Sequence, residues 1–200
     1  MQPLLSILIP TVVGRETEVE KLIGNIDLQC SILGGYDEVE VIQLKDNKEI
    51  TIGEKRERLY KMANGLFSFQ IDDDDSIAPD AIQTILAVIK ENPNISCITF
   101  RENCMMNGEY KSSNHSLKYD RWADNFDGYD YVRCPFYKDV IRTDIAQSVP
   151  FEHIRYNEDE RFSMALKEVL SDEIHIDREL YFYIYEPKDT HQERYGYDRG

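Results

Sequence analysis

Four consecutive aspartates, Asp72 to Asp75, follow directly on the apolar run Leu66-Phe67-Ser68-Phe69-Gln70-Ile71. A buried strand that ends in this much like charge asks for a counter-ion. Carboxylates a few Å apart repel one another, and a hard cation such as Mg²⁺, Mn²⁺ or Ca²⁺ lets a fold keep them together. In an open α/β sheet, ligands also bind beyond the C-terminal ends of the strands. A solvated acidic loop, or a helix start enriched in Asp by its dipole, accounts for the acids but leaves the preceding strand unexplained.

The elements that must position these acids are legible from residue 4 to 100. Leu4 to Ile9 reads as a first buried strand stopped by Pro10, and Glu16 to Leu28 as a helix carrying Val19, Leu22, Ile23 and Ile26. Glu38 to Leu44 alternates as a second strand that delivers Asp46 to a loop. Gly53 to Asn64 reads as a helix with Leu59, Met62 and Ala63 inward and Lys55, Arg56, Arg58 and Lys61 spread over the rest, closed by Gly65. Pro79 and Asp80 open a helix striped with Ile82, Ile85, Leu86 and Ile89, and Ile95 to Phe100 is another strand. Such alternation implies an α/β fold with a largely parallel sheet flanked by helices.

After residue 100 the pattern loosens into a smaller, mixed second half. Asn107-Gly108 signals a hairpin, and Tyr119, Trp122, Phe126, Tyr129 and Tyr131 make a polar, aromatic stretch. Asn157 followed by Glu160 resembles a capping box, which puts Glu158 and Asp159 in the first turn of a helix striped with Phe162, Ala165, Leu166, Val169 and Leu170. Ile174 to Ile176 and Leu180 to Tyr185 read as late strands, and Glu186 to Gly200 as a tail or lid. With 200 residues, we expect one domain: residues 1–100 for one ligand, 101–185 for a second, and 186–200 the tail.

Composition narrows the function classes. A net charge of −15 disfavours a general nucleic-acid or anionic-membrane binder. Cys30, Cys97, Cys104 and Cys134 are scattered without a CxxC pair, so core thiols in a reducing cytoplasm are expected. The N-terminal apolar stretch lacks a basic lead and a cleavage site, which argues against a signal peptide or membrane span.

Three patterns compete for the aspartates. Asp72, Asp74 and Ser76 open like an EF-hand loop, but Ile77 stands where Gly is needed and Gln83 where a bidentate Glu is needed. A strand ending in D-x-D also resembles the haloacid-dehalogenase phosphatases, where the first Asp would be the nucleophile. There the motif begins the domain, whereas here two strands precede it. The third resemblance uses more of the chain. Ser6-Ile7-Leu8-Ile9-Pro10-Thr11, Asp46, Gly53 with Arg56, Ala63-x-Gly65, and Ile71 to Asp75 leading to Pro79-Asp80 occur in the order and spacing of the family 2 glycosyltransferases. The chain resembles that family, with its GT-A fold, from residue 4 to about 170.

This resemblance implies a metal-dependent, inverting transfer from a nucleotide-diphosphate sugar, a UDP-sugar by preference, to a hydroxyl acceptor, glycan or small molecule. Asp74 then holds Mn²⁺ or Mg²⁺, with Asp72 beside it; Asp72 and Asp73 also reach the donor. Pro10, Thr11 and Asp46 line the nucleobase pocket, while Arg56, helped by Lys55, faces the diphosphate. Asp159 is the base that takes the acceptor proton. His191 in the tail completes the metal shell. Glu57 departs from the Asn common after that Arg. The chain is also similar to compact bacteriophage-type glycosyltransferases, some of which act on hydroxymethylated DNA bases; Lys55, Arg56, Arg133, Lys138 and Arg142 would then form a local basic patch. Outside the transferases, the alternatives are the phosphatase and a nonenzymatic Ca²⁺-binding interaction module.

Overall fold

The computed structural model describes residues 2–185. Strand β1 (Leu5–Val12) leads to helix α1 (Glu16–Ile32), β2 (Val39–Asp46) to α2 (Ile52–Met62), and β3 (Phe67–Gln70) through the aspartates to the two-residue β4 (Ser76–Ile77) and α3 (Ala81–Glu91). The second half runs β5 (Cys97–Met106), β6 (Glu109–His115), β7 (Ala123–Phe126), β8 (Tyr129–Arg133), β9 (Val140–Arg142), α4 (Thr143–Ser148), α5 (Glu158–Lys167) and β10 (Glu173–Tyr185). All ten strands join one sheet in the order β2-β1-β3-β9-β5-β6-β8-β7, with β10 on the other edge of β5 and β4 on β10.

The first three strands pair in parallel, as the alternation of strand and helix predicts, but β9 enters antiparallel to both β3 and β5, so the sheet is mixed. Alternate residues of β1 feed two cores. Leu5, Ile7 and Ile9 pack with Leu22 and Ile26 of α1 and Ile82, Ile85 and Ile89 of α3. Leu8 faces the other way, onto Leu59 and Tyr60 of α2 and Phe162 and Leu166 of α5. Helices therefore cover both faces of the parallel part, the condition under which such strands stay buried.

Several expectations need correction. β1 runs through Pro10 to Val12 because the missing N–H lies on the β3 side, where pairing ends at Leu8 and Gln70. Gly65 does not close α2; a Cβ there would lie 2.6 Å from the Ser6 backbone nitrogen, so this glycine lets the chain pass close over β1. Met62 is exposed and Lys55 and Arg56 are buried, the reverse of a solvated basic face. Asn157 forms no capping box: it adopts a left-handed φ of 61° and its side chain caps nothing. The late strands are one strand, β10, broken only by bulges between Ile176 and Tyr181. β4, β9 and α4 have too few residues to show a period. Asn107-Gly108 does make the β5–β6 hairpin, with φ of 54° and 82°.

Candidate functional site

A cleft of about 540 Å³ opens where β1 and β3 end and α2 and α5 begin, and it extends over the second-half strands. Pro10, Thr11, Lys55, Arg56, Asp72, Asp73, Asp74 and Asp159 all line it. Asp46, expected at the nucleobase, does not. Its carboxylate instead accepts from Lys55 Nζ and from the Ile50 amide at 3.1 Å. Lys55 also donates to the Thr11 carbonyl at 2.6 Å, so the Asp46–Lys55 pair braces the end of β1 rather than lying open to a ligand. His191 lies outside the described residues.

The four aspartates diverge. Asp72 accepts from both terminal nitrogens of Arg56 at 2.8 and 3.2 Å and from the Tyr137 hydroxyl at 2.7 Å. Burial works against this carboxylate, but the Arg56 guanidinium outweighs it and holds the group down at about 2. Arg56 in turn lies 3.4 Å over the Tyr137 ring. Asp73 accepts from the Thr11 hydroxyl at 2.7 Å and from Arg15 at 2.6 Å. Asp74 meets the same Arg15 nitrogen at 3.1 Å. Asp75 turns inward, accepting from the Tyr181 hydroxyl at 2.7 Å and the Ile184 amide at 3.2 Å, with Lys138 at 3.5 Å. Burial pushes Asp75 up to about 8 against the pull of Lys138.

The start of α5 is carried to the cleft by a segment that Gly53 admits. A Cβ on Gly53 would lie 2.0 Å from the Glu152 carbonyl oxygen, and the Gly53 amide donates to the Ile154 carbonyl at 3.3 Å. Phe151 and Phe162 stack at 3.9 Å between centroids and pin both ends of the segment. Glu158 is buried against Arg56 at 3.4 Å; burial lifts it to about 7, Arg56 opposes this, and the charge of Asp159 adds to it. Asp159 lies half-buried in the first turn and accepts from the Glu160 amide at 2.9 Å.

The structure also brings in residues that sequence reasoning missed. Arg15 followed no recognisable signal beyond lying near the end of β1. Tyr137 and Tyr181 sit in stretches whose aromatic residues read equally as core. Glu102, which no motif marks, pairs with Lys138 of the expected patch at 2.7 Å; both are buried and both line the cleft from the second half. Behind them the buried His115 faces Glu102 at 3.4 Å and Asp139 at 3.1 Å, and these carboxylates raise it to about 9 against the effect of burial. Of the five cations expected to form a basic patch, Lys55, Arg56, Arg133 and Lys138 line the cleft and Arg142 does not, and each is engaged by an acid. Lys55, Arg56 and Lys138 are buried in ion pairs, Arg133 meets Asp124, and Arg142 meets Asp144.

Asp72 and Asp74 are equally exposed at the cleft, but both oxygens of Asp72 and of Asp73 accept from protein donors, whereas Asp74 meets Arg15 through one oxygen at 3.1 Å. Among the described residues, no group of three or more His, Cys, Asp and Glu stands together as a metal-ligand set. That donor set fits an ion held by one carboxylate and by a ligand's phosphate oxygens, the usual manner of Mg²⁺ on a nucleotide, provided the ion competes with Arg15. The cleft is lined by seven Lys or Arg and seven Asp or Glu, so the chain's charge of −15 resides outside these residues. An anionic ligand therefore meets a locally balanced site inside an acidic protein.

A mixed sheet with helices on both faces and a cleft over its strand ends is a GT-A-like fold. It is shared with S. aureus TarS residues 1–349, at a TM-score of 0.63 and 16% identity over 92% of this chain and 60% of that one. TarS 1–349 in complex with UDP-GlcNAc matches at 0.61 and 16% identity, covering 93% and 59%. The mannosyltransferase PcManGT from Pyrobaculum calidifontis, in complex with GDP-Man and Mn²⁺, matches at 0.61 and 11% identity, covering 97% and 60%. The chain thus spans about 60% of the length of these structures. No protein-family model and no curated protein matches it. Among the described residues, no helix is long and apolar enough to cross a membrane.

Proposed function

We propose that the chain is a metal-dependent, inverting glycosyltransferase that moves a sugar from a nucleotide-diphosphate sugar, a UDP-sugar by preference, to a hydroxyl acceptor. The observation that carries this reading is the convergence on one cleft of Asp74, Arg15 and Arg56 from the parallel half with Asp159 from the start of α5. In this reading the chain is one domain, with the donor held by residues 1–100 and the acceptor by 101–185. The nucleobase lies by Pro10 and Thr11, beside Ile50 and Ile52, with Asp46 acting through Lys55 to fix that edge.

Asp74, with the diphosphate, is the residue to hold Mn²⁺ or Mg²⁺. When bound, such an ion neutralises the charge that develops on the departing nucleotide diphosphate. Arg15 lies at the same acids and supplies a second cation to the phosphates. Arg56 keeps Asp72 ionised and fixed, so that Asp72 orients the donor without moving. Asp159 takes the proton from the acceptor hydroxyl as that oxygen attacks the sugar carbon. Arg56, lying against Glu158, offsets the second negative charge beside that base.

The other readings lack such support. A phosphatase nucleophile needs a free carboxylate oxygen, yet Asp72 gives both of its oxygens to Arg56 and Tyr137. A Ca²⁺ module needs converging acids, and these four diverge. A duplex-DNA acceptor needs a basic surface, whereas the residues outside the cleft lining carry the whole of the chain's net charge of −15.

Thermal denaturation with Mn²⁺ and a panel of UDP-, GDP-, CMP- and dTDP-sugars tests the donor site. Stabilisation that requires metal and one nucleotide together is expected; metal stabilisation indifferent to every nucleotide refutes the reading. Asp159→Asn is expected to lower transfer by at least about a hundredfold while leaving nucleotide binding intact.

A further inference from the structure

The second-half wall of the cleft is one face of the sheet, and strand register places its side chains in rungs. Tyr131 of β8 pairs with Ser113 of β6, Ser113 with Glu102 of β5, and Glu102 with Tyr181 of β10. The following rungs pair Cys104 with Tyr183 and Met106 with Tyr185. All of these except Tyr181 line the cleft. They come from strands up to about 80 positions apart in the chain and share a wall only through register.

One atom on this wall lacks a partner. Ser113 is 1% exposed, and its hydroxyl makes no hydrogen bond among the described residues. Of the buried side-chain polar atoms in that condition, it alone belongs to a residue that lines the cleft. A buried hydroxyl left unpaired is destabilising, so a fold keeps one facing a cavity when a ligand completes it.

The charges beside that hydroxyl are already compensated. Lys138 is shared between Glu102 at 2.7 Å and Asp75 at 3.5 Å and lies 4.0 Å over the Tyr183 ring. An anion entering here would face the Glu102 carboxylate, and a cation would compete with Lys138 for it. A neutral ligand with several hydroxyls does neither. Its hydroxyls can take Ser113 and the outer lone pairs of Glu102, while its apolar ring face packs on the tyrosine faces. We infer that this wall is a subsite for a neutral saccharide ring, which, resting on the glycosyltransferase reading above, makes the acceptor a glycan or simple glycoside rather than a nucleobase or an acidic polymer. Ser113 and Tyr131 then set acceptor specificity, since a site built to bond a hydroxyl rejects ligands that lack it.

The test is ligand-observed NMR on the whole chain with UDP and the diamagnetic Mg²⁺ present. Methyl glycosides of glucose, galactose, mannose and N-acetylglucosamine are compared with cytidine and thymidine. At least one glycoside is expected to show saturation transfer. Ser113→Val is expected to weaken it about tenfold with UDP affinity unchanged. Ser113→Ala gives a second variant should the bulkier side chain disturb folding. Binding of a nucleoside in preference to every glycoside, absence of any glycoside signal, or a signal indifferent to both Ser113 variants overturns the inference. The donor reading fails separately. Should UDP not bind with Mg²⁺ while a Ser113-dependent glycoside does, the saccharide subsite stands and the transferase does not.

Discussion

The acidic run after β3 and the sheet wall of β5, β6, β8 and β10 line the same cleft by opposite routes. In the acidic run, four neighbours in sequence are sent in different directions: Asp72 to Arg56, Asp73 and Asp74 to Arg15, and Asp75 to Tyr181. In the wall, Tyr131, Ser113, Glu102 and Tyr183 are distant in sequence and brought side by side by strand register. Adjacency along the chain therefore marks where charge is concentrated, and register decides which side chains act together. The two regions also differ in how they hold charge. The acidic run holds its cleft-facing carboxylates with two arginines, Arg56 on Asp72 and Arg15 shared by Asp73 and Asp74, whereas the wall buries a chain of alternating charges, Asp75, Lys138, Glu102, His115 and Asp139.

Removing one member of a buried pair breaks this comparison most severely. Asp72→Ala removes the close carboxylate of the buried Arg56 and leaves it Glu158 and Gln70, each at 3.4 Å, and the Tyr137 ring. An uncompensated buried charge costs about 3 kcal/mol or more, which lowers the melting temperature by about 8 °C in a chain of this size. Thermal or urea denaturation measures it, and a loss below about 1 kcal/mol would show that Asp72 and Arg56 are not the anchored pair described here.

The wall answers to pH instead. His115 is raised to about 9 in the folded chain against its ordinary 6.5. Its folded pKa being the higher, the stabilisation is fully present below about pH 6.5 and is lost as pH rises through about 9. Stability is expected to fall across pH 7 to 9.5 by on the order of 2 kcal/mol from this group, and the melting temperature with it. His115→Gln, which retains a donor toward Asp139, should flatten that slope. A wild-type slope that the variant leaves intact assigns the pH dependence to other groups.

The first half of the fold was legible because long strands and helices repeat their apolar residues enough times to show a period. Glu16–Ile32 and Ala81–Glu91 are of this kind. The second half was not, because β4 and β9 have two and three residues and α4 has six. The candidate site shows the same division. Pro10, Thr11, Arg56, Asp74 and Asp159 were found from local motifs, and each lines the cleft. Asp46 was placed on the nucleobase by the family resemblance, whereas in the fold its carboxylate meets Lys55, a pairing no spacing in the chain announces. Ser113 and Glu102 carry no motif at all. Their significance arises from cross-strand pairing and from an unsatisfied hydroxyl, neither of which leaves a local trace in the chain.

The smallest change separates position from charge within the acidic run. Asp74 stands 3.1 Å from Arg15 and lines the cleft, but Arg15 keeps Asp73 at 2.6 Å without it. Asp74→Asn should therefore alter stability by no more than about 0.5 kcal/mol, the range for a partly exposed pair. In the proposed role it should nevertheless abolish the stabilisation by Mn²⁺ and UDP together, since the amide keeps the shape and loses the charge that a hard cation requires. The same experiment on Asp72 would confound metal binding with the loss of the Arg56 anchor. An Asp74→Asn protein that Mn²⁺ and UDP still stabilise as fully as the parent would place the ion elsewhere, and Asp73 and Asp74 would then be a surface pair with Arg15 as their counter-ion.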